Sequence, residues 1–139
     1  MFPSEAWLTE CVDKLNTSEE YEKAATTWEG NLRFVIEGQP DIGIATDLWT
    51  WVDLWHGKCR DFKYGLTPEE GEKARFTIRA PFSRWKQVVK QELDPVKGMV
   101  SGKLRLKGDI FTMIRHVKAA KAFVHVTRTV QTEFIDEQA

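Results

Sequence analysis

The sequence is poor in the residues and runs that mark several large classes of protein. Its 139 residues include three histidines and two cysteines, and none has the His-x-x-x-His or Cys-x-x-Cys spacing of a metal site. It contains no Gly-x-Ser-x-Gly elbow, no glycine-rich phosphate loop and no run of eighteen apolar residues that could span a bilayer. We therefore predict no metal, no cofactor, no catalytic residues and no enzymatic activity.

Addressing signals are also missing. The N-terminus lacks the basic start and apolar run of a signal peptide, and residues 136–139 are not a peroxisomal Ser-Lys-Leu address. These absences predict a cytoplasmic protein. Cys11 lies among helix-core residues and Cys59 at a turn, so we expect two reduced thiols and not a disulfide.

Apolar and aromatic residues are plentiful. Hydrophobic residues make up 42% of the chain, with six tryptophans and eight phenylalanines, which suits a single domain over residues 1–139 with its own core. Residues 1–72 hold 15 acidic and 6 basic side chains, whereas residues 73–139 hold 6 and 14. Either the basic half forms a face for anionic head groups or a phosphate-bearing ligand, or the halves interleave and their fields cancel. No nucleic-acid motif accompanies the cations, so we expect no nucleic-acid partner.

Two helices are predicted at the start of the chain. Ser4 can cap a helix with an apolar stripe that ends near Asn16. Thr17 and Glu20 then have the spacing of a capping box for a second helix that reaches Trp28.

Alternating apolar and polar residues predict four successive strands between Gly30 and Ala80, which we interpret as an antiparallel meander. The second, residues 44–55, carries large apolar groups on both faces, with Trp49, Trp51 and Trp55 opposite the leucines. A strand with one wet face should not do this. We expect the tryptophan face to be covered by the C-terminal segment, a second subunit, a bound apolar molecule or ordinary packing.

The rest of the chain is organised around residues 94–116. An amphipathic helix over residues 82–93 leads to Asp94 and Pro95, which start a short helix. After Gly102, residues 103–107 alternate as a strand, and Asp109 caps a helix that continues to near His125. The segment 119–139 is predicted to contain the end of this helix and an ordered arm.

The predicted fold class is α+β: a mainly antiparallel five-stranded sheet covered by helices on one face. Residues 94–116 resemble the most distinctive stretch of the sterol carrier protein type two family, where a helix with a proline and a following Met or Phe leads into a Gly-Lys-Leu-x-x-x-Gly strand. The matching residues are Asp94, Pro95, Met99, Gly102, Lys103, Leu104, Lys107, Gly108 and Asp109. The resemblance covers residues 74–117 and extends less sharply back to Trp28. The sequence departs from the family pattern at Ala74-Arg75. The segment from Ala119 onward has no counterpart in the family.

The resemblance implies an apolar cavity between the sheet and the helices, with non-enzymatic binding, and transfer, of a fatty acid, fatty acyl chain, sterol or similar lipid. On the family pattern the ligand-binding residues are Trp85, Val89, Met99, Leu104, Leu106, Ile110, Met113 and Ile114, with Trp49, Trp51 and Trp55 as further candidates. The alternative is an accessory or oligomerising module that presents apolar substrate to a partner enzyme. A homodimer and transient contact with a membrane surface remain open.

Overall fold

The computed structural model describes residues 1–137, so the last two residues of the predicted domain and arm lie outside the described residues. In chain order the elements are α1 (Glu5–Asn16), α2 (Glu19–Ala24), β1 (Glu29–Glu37), β2 (Leu48–Trp55), β3 (Lys58–Leu66), β4 (Phe76–Pro81), α3 (Phe82–Val89), α4 (Pro95–Ser101), β5 (Arg105–Lys107), α5 (Ile110–Arg115) and α6 (Val117–Thr129). Among these residues no helix has the length and apolar character that crossing a membrane requires.

Short polar side chains start most of the helices. Ser4 accepts a hydrogen bond from the Trp7 N–H, as predicted, and Asp94 and Asp109 cap α4 and α5 in the same way. The predicted capping box at Thr17 is wrong by one residue. Ser18 is the cap of α2, and its hydroxyl oxygen accepts from the Tyr21 N–H at 3.1 Å.

The five strands form one sheet in the order β3-β2-β1-β4-β5. Neighbouring strands are antiparallel except for β1 and β4, which pair in parallel with Phe34 beside Ile78. The sheet is therefore mixed, and the predicted meander is wrong between β3 and β4. The reason is that β1 buries apolar residues on both faces, Ile36 inward and Val35 outward, and such a strand is stable at the centre of a sheet.

Several predicted boundaries also shift. The second strand, predicted from residue 44, begins only at Leu48, because Pro40–Ile42 form a 3-10 turn and Ile44 makes an isolated bridge with Gln39. The predicted helix after Asp109 breaks at His116 into α5 and α6. The second of these runs to Thr129, further than predicted.

Arginine side chains, and not the C-terminal arm, cover the outer face of the sheet. Trp49 and Trp51 are half-buried there, and Trp55 is 37% exposed. The Arg33 guanidinium lies 5.0 Å from the centre of the Trp49 ring, and the Arg79 guanidinium approaches the same ring at 5.5 Å. In such cation–π contacts the ring quadrupole attracts the guanidinium charge. Packing within the chain thus covers Trp49.

Arg33 is the buried member of this layer. Its Nε donates to the Thr77 hydroxyl at 3.1 Å, and its Nη1 donates to the carbonyl oxygens of Pro68 and Glu70 at 3.0 and 3.2 Å. These bonds hold the connection between β3 and β4, residues 67–75, across the outer face. The crossover that allows parallel pairing is thereby tied to β1.

The C-terminal arm instead fastens the N-terminus. The Phe2 N–H donates to the Glu133 carbonyl at 2.7 Å, and the Ile135 N–H donates to the Phe2 carbonyl at 3.1 Å. The rings of Phe2 and Phe134 meet edge to face, and Lys86 of α3 pairs with Asp136 at 3.0 Å. Residues 1–3 are consequently held against the helices.

Replacing Arg33 with leucine should destabilise the protein by about 1–3 kcal/mol, because three hydrogen bonds and the cover of Trp49 are lost together. The matched control is Arg60→Leu, whose exposed guanidinium stacks 4.5 Å from the Trp55 ring centre and should cost about 0.5 kcal/mol or less. Urea unfolding measures both. Equal effects of the two substitutions would contradict the role given to Arg33.

Candidate functional site

A cavity of about 160 Å³ lies between the inner face of the sheet and the helices. Roughly 10–15 Å³ is enough for one water molecule, so this space is large for a domain of this size. Its floor includes Phe34, which stands on the central strand between β2 and β4 and is still only half-buried. The free surface of that ring faces the cavity.

Residues from the sheet and from helices α1 to α6 line the cavity. They are Phe2, Pro3, Ser4, Trp7, Leu8, Cys11, Tyr21, Trp28, Leu32, Phe34, Ile36, Thr50, Leu54, Tyr64, Ile78, Trp85, Val88, Val89, Pro95, Met99, Leu104, Met113, His116, Ala119, Ala120, Phe123, Val124 and Thr127. None of these is an aspartate, glutamate, lysine or arginine.

The three tryptophans of the lining present their rings and direct their N–H groups into protein. Trp7 donates to the Thr132 hydroxyl, Trp28 to the Gly30 carbonyl and Trp85 to the Val35 carbonyl, each at 3.0 Å. An indole whose N–H is satisfied elsewhere offers an apolar surface to the cavity. The bond from Trp85 also ties α3 to the backbone of the central strand.

Three titratable side chains of the lining have a raised pKa, which keeps them uncharged at neutral pH. Burial raises the pKa of the Cys11 thiol to about 12, and the neighbouring Glu10 carboxylate acts in the same direction. Burial likewise raises the pKa of the Tyr21 hydroxyl above its ordinary value, with Cys59 as a smaller cause. For Tyr64 the causes of the raised pKa are burial and then Glu5.

This arrangement can hold an apolar molecule. Removing apolar surface from water stabilises the complex by roughly 25 cal/mol per Å² buried. A wall without carboxylates, lysines or arginines adds no cost for taking such ions out of water. Within residues 1–137 no three histidine, cysteine or carboxylate side chains are grouped so that they could hold a metal ion.

The residues predicted for ligand binding divide into two groups. Five line the cavity: Trp85, Val89, Met99, Leu104 and Met113. The other six do not: Leu106, Ile110, Ile114, Trp49, Trp51 and Trp55.

The direction of each side chain explains why these six predicted residues lie outside the lining. Successive residues of a helix point about 100° apart, so Met113 faces inward while Ile114 is 46% exposed. Leu106 and Ile110 are half-buried and pack against the core outside the lining. The three tryptophans alternate to the outer face of β2.

Sequence reasoning missed the N-terminal contribution to the lining. Trp7, Leu8 and Cys11 were recognised as an apolar stripe of α1, but nothing in the stripe distinguishes packing against a sheet from facing a gap above it. Phe2 and Phe123 likewise gave no local signal. The inward alternation of Leu32, Phe34 and Ile36 on β1 was the one available indication.

The family model of the SCP-2 sterol transfer family matches residues 11–121 of this chain. This is wider than the stretch of residues 74–117 that carries the motif resemblance. A comparison with curated protein sequences gives no match.

Solved structures agree with the family match. The crystal structure of a sterol carrier protein 2 is 37% identical, with a TM-score of 0.84 over 94% of this chain and 99% of that chain. The solution structure of a possible sterol carrier protein from Thermus thermophilus is 36% identical, with a TM-score of 0.81 over 92% and 88% of the two chains.

A more distant structure shares the fold alone. The palmitated SCP2L2 from Aedes aegypti is 13% identical, with a TM-score of 0.57 over 84% of this chain and 92% of that chain. The family model covers most of this chain, and two full-length structural matches exceed one-third identity. The chain therefore belongs to the SCP-2 sterol transfer family.

Proposed function

We propose that the protein binds an apolar ligand, such as a fatty acid, a fatty acyl chain or a sterol, in this cavity and carries it without catalysing a reaction on it. The observation that carries the proposal is a cavity of about 160 Å³ at the centre of the fold whose lining contains no aspartate, glutamate, lysine or arginine. Membership of a sterol transfer family supports a lipid as the ligand. The palmitated state of the Aedes aegypti relative supports an acyl chain as one suitable class.

Burial of an acyl chain supplies the binding energy. Each methylene removed from water contributes about 0.8 kcal/mol, so about ten of them contribute roughly 8 kcal/mol before the cost of association. The walls suit such a chain, because Met99 and Met113 are flexible side chains that adapt to irregular shapes. The cavity therefore favours apolar ligands of several shapes over a single rigid ligand.

Ligand exchange requires contact with a source of lipid, and α4 and α5 have a surface suited to it. We define the α4–α5 surface by Lys97, Val100, Lys103, Phe111, Ile114 and Lys118. Val100 is 64%, Phe111 67% and Ile114 46% exposed, and grouped exposed apolar residues mark interaction sites. The same two helices contribute Met99 and Met113 to the cavity wall.

The charge of this surface favours an anionic partner. Lys97, Lys103 and Lys118 are exposed, and no salt bridge within residues 1–137 involves them. Basic residues near an anionic membrane contribute about 1 kcal/mol each, and exposed apolar side chains add insertion into the head-group region. We propose that the α4–α5 surface contacts an anionic lipid bilayer during ligand exchange.

The cavity should bind cis-parinaric acid, a fluorescent fatty acid, with energy transfer from Trp7, Trp28 and Trp85. Met113→Asp should weaken binding roughly tenfold or more, because it introduces an unpaired carboxylate into the apolar wall. Met113→Leu and the exposed neighbour Ile114→Asp should bind as the wild type does. Circular dichroism verifies that each variant is folded.

Failure of the folded wild type to bind any long-chain lipid would contradict the proposal. If that protein also sedimented as a dimer, the accessory or oligomerising module would become the better account. Equal losses in Met113→Asp and Ile114→Asp would place the ligand outside the cavity.

Replacement of Lys97, Lys103 and Lys118 by glutamine should reduce binding to vesicles that contain anionic lipid. From about 1 kcal/mol per lysine, the expected loss is tenfold or more at low salt. The matched control replaces Lys23, Lys73 and Lys90, which changes the net charge equally at other sites. Vesicle co-sedimentation measures both variants, and equal losses would show that net charge alone governs the contact.

A further inference from the structure

Nearly every polar atom in the cavity lining already has a protein partner. The Thr50 hydroxyl donates to the Phe34 carbonyl at 3.0 Å, and the Thr127 hydroxyl donates to the Val124 carbonyl at 2.7 Å. Ser4 accepts from the Trp7 N–H at 3.1 Å. With the three indole N–H groups also satisfied, few groups remain that could recognise a polar part of a ligand.

Tyr21 is the most deeply buried exception. The residue is 2% exposed and lines the cavity, with its ring edge to face with Phe123 at 6.1 Å between centres. Its hydroxyl makes no hydrogen bond within residues 1–137, although the backbone N–H of the same residue is bonded to Ser18. No fully enclosed side-chain oxygen or nitrogen in these residues lacks a partner. The Tyr21 oxygen is therefore not fully enclosed, and the residue that carries it lines the cavity.

Other groups without a partner are weaker candidates. Tyr64 and His116 are only half-buried, so water can reach them. The His116 Nδ1 lies 2.8 Å from the Thr112 carbonyl, which leaves Nε2 as its free atom. The Cys11 thiol is buried but is a weak donor. Among the oxygen and nitrogen groups of the lining, the Tyr21 hydroxyl thus combines the lack of a protein partner with a residue that is only 2% exposed.

We propose that the Tyr21 hydroxyl is the polar anchor of the cavity, and that it hydrogen-bonds one uncharged oxygen group, a hydroxyl or an unionised carboxyl, on an otherwise apolar ligand. This inference rests on the proposed function. The group is uncharged because no lysine or arginine lines the cavity, and a buried anion without a cation is strongly disfavoured. The ligand carries a single such group at this point, since the other deeply buried oxygen and nitrogen atoms of the wall are satisfied by protein.

The test compares hexadecanol, hexadecane and hexadecyl phosphate as competitors of bound cis-parinaric acid. In Tyr21→Phe the affinity for hexadecanol should fall about 3- to 10-fold, the value of one neutral hydrogen bond. The affinity for hexadecane, which has no oxygen, should change less than about twofold. Hexadecyl phosphate should bind the wild type more weakly than hexadecanol does.

A matched control and a stability measurement sharpen the test. Thr27→Val removes an exposed hydroxyl outside the cavity lining and should alter the affinity for hexadecanol less than about twofold. Without ligand, Tyr21→Phe should unfold at the same temperature as the wild type or higher, because its hydroxyl loses no partner. A lower unfolding temperature would indicate a structural hydrogen bond and contradict the proposal.

The outcomes separate this inference from the proposed function. If the wild type binds neither cis-parinaric acid nor hexadecanol, the proposed function fails. If the wild type binds both and Tyr21→Phe binds hexadecanol equally well, only the anchor is disproved. Tight binding of hexadecyl phosphate that is insensitive to Tyr21→Phe would also disprove it, because the head group would then lie outside the cavity.

Discussion

The parallel pairing of β1 with β4 is the constraint on which the rest of the structure depends. It places β1 at the centre of the sheet, and it requires the chain after β3 to cross the outer face. Arg33 holds that crossing in place from β1 itself. On the inner face, α3 begins directly after β4, and Trp85 bonds back to the Val35 carbonyl. The position of one cavity wall thus follows from the pairing of two strands.

Aromatic side chains give part of the cavity wall a fixed shape. Indole and phenyl rings on the sheet and the helices have few rotatable bonds, and the three cavity tryptophans are each fixed by a hydrogen bond on the far side of the ring. The C-terminal arm holds Phe2 at one end of this ring of aromatic groups. Packed interiors usually leave no void of this size, so a cavity of about 160 Å³ bordered by these rings is the feature that distinguishes this fold from an ordinary core.

Local signals were readable in the sequence, whereas nonlocal pairing was not. The caps at Ser4, Asp94 and Asp109 and the Gly102 stop depend on neighbouring residues, and each was predicted at its correct position. The partner of β4 depends on which distant strand has two buried faces, and alternation within β4 alone does not reveal it. The tryptophans of β2 show the same limit: their two-faced pattern was visible, but the arginines that cover Trp49 come from β1 and β4 and the one over Trp55 comes from β3. The motif resemblance proposed Trp85, Val89, Met99 and Met113, which line the cavity on α3 to α5, while the contributions of α1 and α6 required the folded chain.

The most direct test of the central claim uses the three methionines as probes. Met99 and Met113 line the cavity, whereas Met1 lies outside it and is exposed. In protein labelled with carbon-13 at the methionine methyl groups, addition of a long-chain fatty alcohol should shift the resonances of Met99 and Met113 and produce contacts between them and the ligand chain. The Met1 resonance should stay in place. Unchanged resonances of Met99 and Met113 at saturating ligand, or a shift confined to Met1, would contradict ligand binding in the cavity.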